Sequence, residues 1–183
     1  EKKILDELKE KYQLSFRGVG LSLGSYEEIS TEHLQKLKNL VDRYNPFLIS
    51  DHASWSMTGN AHLQDLFPLP YNEESLKHLC KNINITQDFL GRQILIENPS
   101  TYLQFKSQME EWEFLLAAAK ETRCKLLLDV NNVYVSAYNH NLDAEKYIDA
   151  IPAKFIGEIH LAGHKKVVIN GVQKRIDTHD ELV

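Results

Sequence analysis

KFIGEIHLAGH, residues 154–164, is the stretch on which the reading of the whole chain turns. Phe155, Ile156 and Ile159 form an apolar run that reads as a strand. His160 ends it, and Ala162-Gly163 breaks it beside a second histidine, His164. Imidazole is a common metal ligand and the usual acid-base group near neutral pH. A histidine at the carboxyl end of a buried strand is where a (β/α) barrel carries its chemistry.

Working outward, four earlier stretches have the same form. LSFRGVGLSLGS (14–25) alternates apolar residues at Leu14, Phe16 and Val19 and then loosens at its glycines, which are not in the G-x-G-x-x-G order of a phosphate loop. PFLIS (46–50) leads into Asp51-His52, QILIE (93–97) ends at Glu97 ahead of a forbidding Pro99, and CKLLLD (124–129) ends at Asp129, with Asn131 and Asn132 beyond it. Strand centres near Val19, Leu48, Leu95, Leu127 and Gly157 lie 29, 47, 32 and 30 residues apart. Each gap has room for one helix. Helical spacing and caps predict helices over 31–44 (cap Ser30 or Thr31, stop Asn45-Pro46), 73–90 (cap Asn72, closed by Gly91), 105–121 and 143–150, after an amphipathic helix within 1–13. Pro68 and Pro70 make 59–71 a loop in this reading. Strand and helix alternating at about 30 residues is the signature of a parallel sheet with right-handed crossovers. The fold class expected from the spacing is therefore α/β, with about five parallel strands.

Composition fits one globular domain over 1–183. With 43% hydrophobic and 26% charged residues the chain can bury a core, and its net charge of −5 offers no broad attraction to nucleic acid or anionic membrane. No apolar run approaches the ~18 residues of a membrane span. Cys80 and Cys124 are the two cysteines, with no CxxC, which points to a reducing, cytoplasmic setting and away from disulfides or a thiolate zinc site.

The strand ends are Arg17 or the loop after it, His52, Glu97, Asp129 and His160. Four of these are metal-ligand types, and a parallel sheet delivers them to one edge. Histidine with carboxylate and no thiolate suits iron, manganese or zinc. Asn132, His140, His164, Asp177 and His179 read as loop residues able to reach the same rim, and Asp177-x-His179 spaces two ligands to one side of an extended chain. His33, His62 and His78 read as surface residues. Cys124 precedes its strand and belongs at the opposite end from Asp129, and Cys80 reads as core.

GVGLSLGS (18–25), SDHASW (50–55), DLFPLPY (65–71), LGRQILIENPSTYL (90–103), LLLDVNNVYVSAYNHNLDAEKYI (126–148), EIHLAGH (158–164) and IDTH (176–179) together resemble the multinuclear non-haem iron-dependent oxidative enzymes. That family includes the methanobactin-biosynthesis oxidase and many uncharacterised bacterial proteins. The resemblance implies a TIM-type barrel with two or three irons at its carboxyl rim and dioxygen as co-substrate. It also implies oxidation of cysteine or other side chains of a ribosomally made precursor peptide, in natural-product biosynthesis, often with a partner protein presenting the peptide. Carried over, His52, Glu97, Asp129 and His160 match metal ligands, with Glu97 the bridging carboxylate, and Asp177 and His179 match further ligands. Asn132, His140 and His164 match polar motif positions facing metal or substrate.

Two features depart from the family pattern. Arg17 stands where the family usually has histidine, and arginine cannot ligate a metal. One iron is then lost or weakly held, or Arg17 binds a peptide carboxylate or a rim acid. A full barrel also needs ~250 residues, so the expectation is a fragment of a larger (β/α)₈ barrel or a chain completed by another. Two other functions stay open at this point. One is a divalent-metal sugar isomerase or phosphoesterase of the xylose-isomerase or endonuclease-IV kind. The other is a degenerate, non-catalytic peptide-binding barrel.

Overall fold

In the computed structural model, which describes residues 2–59 and 61–179, the helix ends fall where short polar side chains can satisfy them. Ser30 Oγ accepts from the His33 N–H at 3.2 Å to start α2 (Thr31–Tyr44), following α1 (Lys2–Lys9) and β1 (Ser15–Arg17). Asn72 Oδ1 accepts from the Ser75 N–H at 2.9 Å to start α3 (Glu73–Leu90), and Gly91, at φ 70°, closes it. Between these helices lie β2 (Leu48–His52), β3 (Trp55–Thr58) and β4 (Ala61–Phe67). After α3 come β5 (Leu95–Glu97), α4 (Glu111–Thr122), β6 (Lys125–Asp129), α5 (Val130–His140), α6 (Ala144–Asp149), β7 (Ile156–His160), β8 (His164–Ile169) and β9 (Val172–Asp177).

Five strands pair in parallel in the order β1-β2-β5-β6-β7, which is chain order apart from the inserted hairpin. The sheet curls into a half barrel, and the curl is visible at its two edges. The Ser15 hydroxyl on β1 donates to Glu158 Oε2 on β7 at 3.2 Å, so the first and last strands touch across the concave face. This is the parallel α/β sheet expected from strand spacing, in the incomplete TIM-type form that the family resemblance implies. On the convex face Ile49, Ile96, Leu126 and Leu128 pack against Leu34 and Val41 of α2, Leu79 and Ile83 of α3, and Phe114 and Ala118 of α4. Cys80 and Cys124 are buried in the same layer.

A bulge in β7 sets what faces inward. Leu126 pairs with Ile156 but Leu127 pairs with Glu158, so Gly157 is an extra residue, and Asp129 is brought opposite His160. In an unbroken register Asp129 would face Ile159, and His160 would point to the convex side. A Cβ built on Gly157 would lie 2.9 Å from Leu95 Cδ2 and 3.2 Å from Lys125 Cβ. Gly157→Val is therefore expected to lose ~1–3 kcal/mol of stability by overpacking, read by urea unfolding. An unchanged midpoint would show that β7 does not press on β5 and β6 there.

Four segments differ from the sequence-based expectation. Residues 59–71 are not all loop: β3 and β4 form an antiparallel hairpin, because the prolines fall after Phe67 and leave the strand free to pair. The helix expected from 105 starts at Glu111, where the Glu113 carboxylate accepts the Glu110 N–H at 3.0 Å. The segment after Asp129 is helix α5, not loop. Its β-branched residues suggest otherwise, but Asp129 Oδ1 accepts from the Asn132 N–H at 2.8 Å, and Val133, Val135 and Ala137 are buried. Finally, residues 164–177 form the β8–β9 hairpin, turned at Asn170 (φ 50°) and Gly171 (φ 78°). That Asn-Gly pair was the available signal. Among the described residues no helix is long and apolar enough to cross a membrane.

Candidate metal centre

Pairing places the expected residues on one face. His52 is opposite Glu97, Glu97 is opposite Leu127, and Asp129, two residues on from Leu127, is opposite His160. All four side chains therefore share the concave side at the carboxyl rim. Below them the buried Leu95 and Leu127 floor the half barrel.

The rim residues divide into two groups. In the first, Glu97 is fully buried and takes a two-pronged contact from Arg17: Nε donates to Oε2 at 2.6 Å and Nη2 donates to Oε1. Arg17 Nη2 also lies 3.1 Å from His52 Nε2, and His52 Nδ1 lies 3.1 Å from the Gly18 carbonyl. A guanidinium only donates, so the Nε2 lone pair faces Arg17 and Nδ1–H donates to Gly18. Burial opposes ionisation of Glu97, but the hydrogen-bonded Arg17 cation outweighs it and holds the carboxyl well below the usual glutamate range.

The second group is Asp129, His160 and His179, whose ligand atoms lie within 4.8 Å of one another. Asp129 is fully buried. Its Oδ1 caps α5, while Oδ2 makes no hydrogen bond and has His179 Nε2 at 3.2 Å and His160 Nδ1 at 3.7 Å. Burial pushes the Asp129 carboxyl up; the Asn132 N–H opposes this and the Glu97 charge adds to it. A buried carboxylate oxygen without a hydrogen bond, facing two imidazole nitrogens, is the arrangement that a cation would satisfy. The triad fits a metal ion by geometry and by donor chemistry, and does not by itself choose the metal. The two histidines keep 27% and 31% of their side-chain surface, so the centre can be reached from outside.

Hydrogen bonds behind the triad orient it. His179 takes a left-handed backbone, φ 54°, just past β9, and its Nδ1–H donates to Asp177 Oδ1 at 2.5 Å, which turns Nε2 toward Asp129. Asp177 thus stands behind His179, and it also accepts from Asn131 Nδ2 at 2.9 Å. His160 Nε2 lies 3.5 Å from Glu158 Oε1. Asn132 joins the two groups: its backbone N–H caps onto Asp129 and its Nδ2 lies 3.4 Å from Glu97 Oε1.

Two candidates do not converge. His140 is at the far end of α5 from Asn131, about 13 Å along the axis, and its Nε2 bonds the Thr101 carbonyl at 2.8 Å. His164 stacks on Tyr134 with centroids 4.9 Å apart, and its Nδ1 is 3.2 Å from Asn131 Oδ1. Two residues were not among the candidates offered by the sequence, Glu158 and Asn131. Glu158 was legible, since it lies two residues before His160 and so shares its side of the strand. Asn131 becomes meaningful only once α5 is known to be a helix.

A profile of the family described as RiPP precursor modification enzyme MbnB/TglH/ChrH matches residues 1–183. The chain belongs to this family. Among curated members, the UPF0276 protein VV3194 of Vibrio vulnificus is 50% identical over 180 residues, covering 98% of this chain and 62% of the relative. The UPF0276 protein VP3015 of Vibrio parahaemolyticus is 50% identical over 184 residues, covering 100% of this chain and 64% of the relative. A UPF0276 protein of Caulobacter vibrioides is 41% identical over 181 residues, covering 98% and 63%. The chain therefore spans a little under two thirds of the length of these family members.

Proposed function

We propose that this member of the MbnB/TglH/ChrH family takes part in the iron- and dioxygen-dependent modification of cysteine or other side chains of a ribosomally made precursor peptide. The observation that carries this reading is Asp129 Oδ2, buried, without a hydrogen bond, and facing His160 and His179 at the barrel mouth. The family match supports the substrate class. A partner protein presenting the peptide is part of the proposal, as is the view that residues 1–183 form a single domain that is part of a larger (β/α)₈ barrel.

In this proposal Asp129, His160 and His179 hold the ion. Bound iron would supply the one-electron chemistry with dioxygen that side-chain oxidation requires. Asp177 keeps the Nδ1 proton of His179, leaving Nε2 free to ligate, and Glu158 faces the distal nitrogen of His160. Leu95 and Leu127 are buried beneath the rim, and the partly exposed histidines leave the ion reachable from their side.

The test is anaerobic loading with Fe(II), followed by oxygen uptake in the presence of a cysteine-containing peptide encoded beside the gene. At least one iron per chain and peptide-dependent uptake are expected. Less than one iron per chain, or turnover of a sugar or abasic DNA without oxygen, would overturn the proposal.

A further inference from the structure

We infer that in this chain the Arg17 guanidinium occupies the place between Glu97 and His52 that a second metal ion would need, so that the rim holds a single ion, at Asp129, His160 and His179. The inference rests on the proposed metal centre and specifies how many ions it carries.

Both oxygens of Glu97 are committed to Arg17, one to Nε at 2.6 Å and one to Nη2. The remaining ligand-type atom in that group, His52 Nε2, has its lone pair on the same Nη2 at 3.1 Å. All three lone-pair donors thus converge on one cation that is part of the chain. The Gly18 carbonyl, by accepting from His52 Nδ1, keeps the ring turned that way. A planar guanidinium fits a carboxylate with two parallel bonds and stays charged across the accessible pH range. A divalent ion entering here would have to evict it from a fully buried partner or sit against its positive charge.

The second group shows the opposite pattern. Asp129 Oδ2 has no hydrogen bond, and the groups that face it are the His179 and His160 imidazoles, at 3.2 and 3.7 Å. The first group already carries its cation, and the second has a carboxylate without one. Glu97 is therefore a positioning residue, anchoring Arg17 and receiving Asn132 from the helix that Asp129 caps.

The experiment is anaerobic equilibrium dialysis of the chain against Fe(II), with iron and protein measured independently. Wild type is expected to bind one ion, Arg17→His two, Glu97→Gln still one, and His179→Ala none. A wild-type count of two that drops to one in Glu97→Gln would overturn the inference while leaving the metal centre in place. Arg17→His remaining at one would overturn it as well, since the arginine would then not be what bars the second ion. A wild type that binds no iron would remove the centre itself and this inference with it. Should Glu97→Gln fail to fold, Arg17→His alone decides, because it leaves the buried carboxylate a neighbour that can share it with a metal.

Discussion

Asp129→Asn is expected to fold normally and to bind metal at least ~100-fold more weakly, beyond the roughly 10–100-fold seen when residues merely supporting a ligand are lost. The substitution separates the two tasks of this side chain. Oδ1 caps α5, and asparagine caps a helix about as well as aspartate, so the stability of the metal-free protein should change by less than ~1 kcal/mol. Oδ2 is the atom facing His160 and His179, and an amide nitrogen in its place offers neither charge nor lone pair. Metal titration followed by thermal unfolding reads both properties. Wild type should gain melting temperature on adding Fe(II) anaerobically, because a ligand that binds only the folded state stabilises it by mass action. Asp129→Asn should show little gain at the same concentration. Equal affinity in the two proteins would mean that the triad is not where the ion sits.

Wild type should also lose stability between pH 5 and pH 9, and Glu111→Gln should largely abolish that loss. Glu111 opens α4, where the helix dipole favours an anion by only ~0.3–1 kcal/mol. Its Oε1 is buried without a partner among Tyr71, Trp112 and Tyr147, and burial pushes the carboxyl up to about 8, a hydrogen bond with Tyr71 opposing. Burial is the larger effect. Because the folded value lies above the unfolded one, the contribution is fully present below the ordinary glutamate range and is lost as pH rises through about 8. A shift of this size corresponds to at most about 5 kcal/mol, and local opening should reduce it to ~2–3 kcal/mol. Urea unfolding at both pH values measures it. Parallel losses in wild type and Glu111→Gln would show that the carboxyl ionises freely in the fold.

Much of this architecture could be read along the chain. The intervals between apolar runs determined a parallel sheet, and Asn72 and Gly91 determined the ends of α3, because caps act within a few residues and need no distant partner. The last residues of those runs named His52, Glu97, Asp129 and His160. Tertiary structure decided how they are used. The bulge at Gly157 exists only against β6, and it is what turns His160 inward. His179 reaches Asp129 through a hairpin and a left-handed backbone, bringing together residues fifty positions apart in the chain. Arg17 and Glu97, eighty residues apart, meet because β1 and β5 flank β2, which commits a carboxylate the sequence offered as a metal bridge. Propensity and capping are local energies and are legible in order. Which of several matching groups neutralises which charge depends on distance in space, and that is settled by how the strands pair and curl.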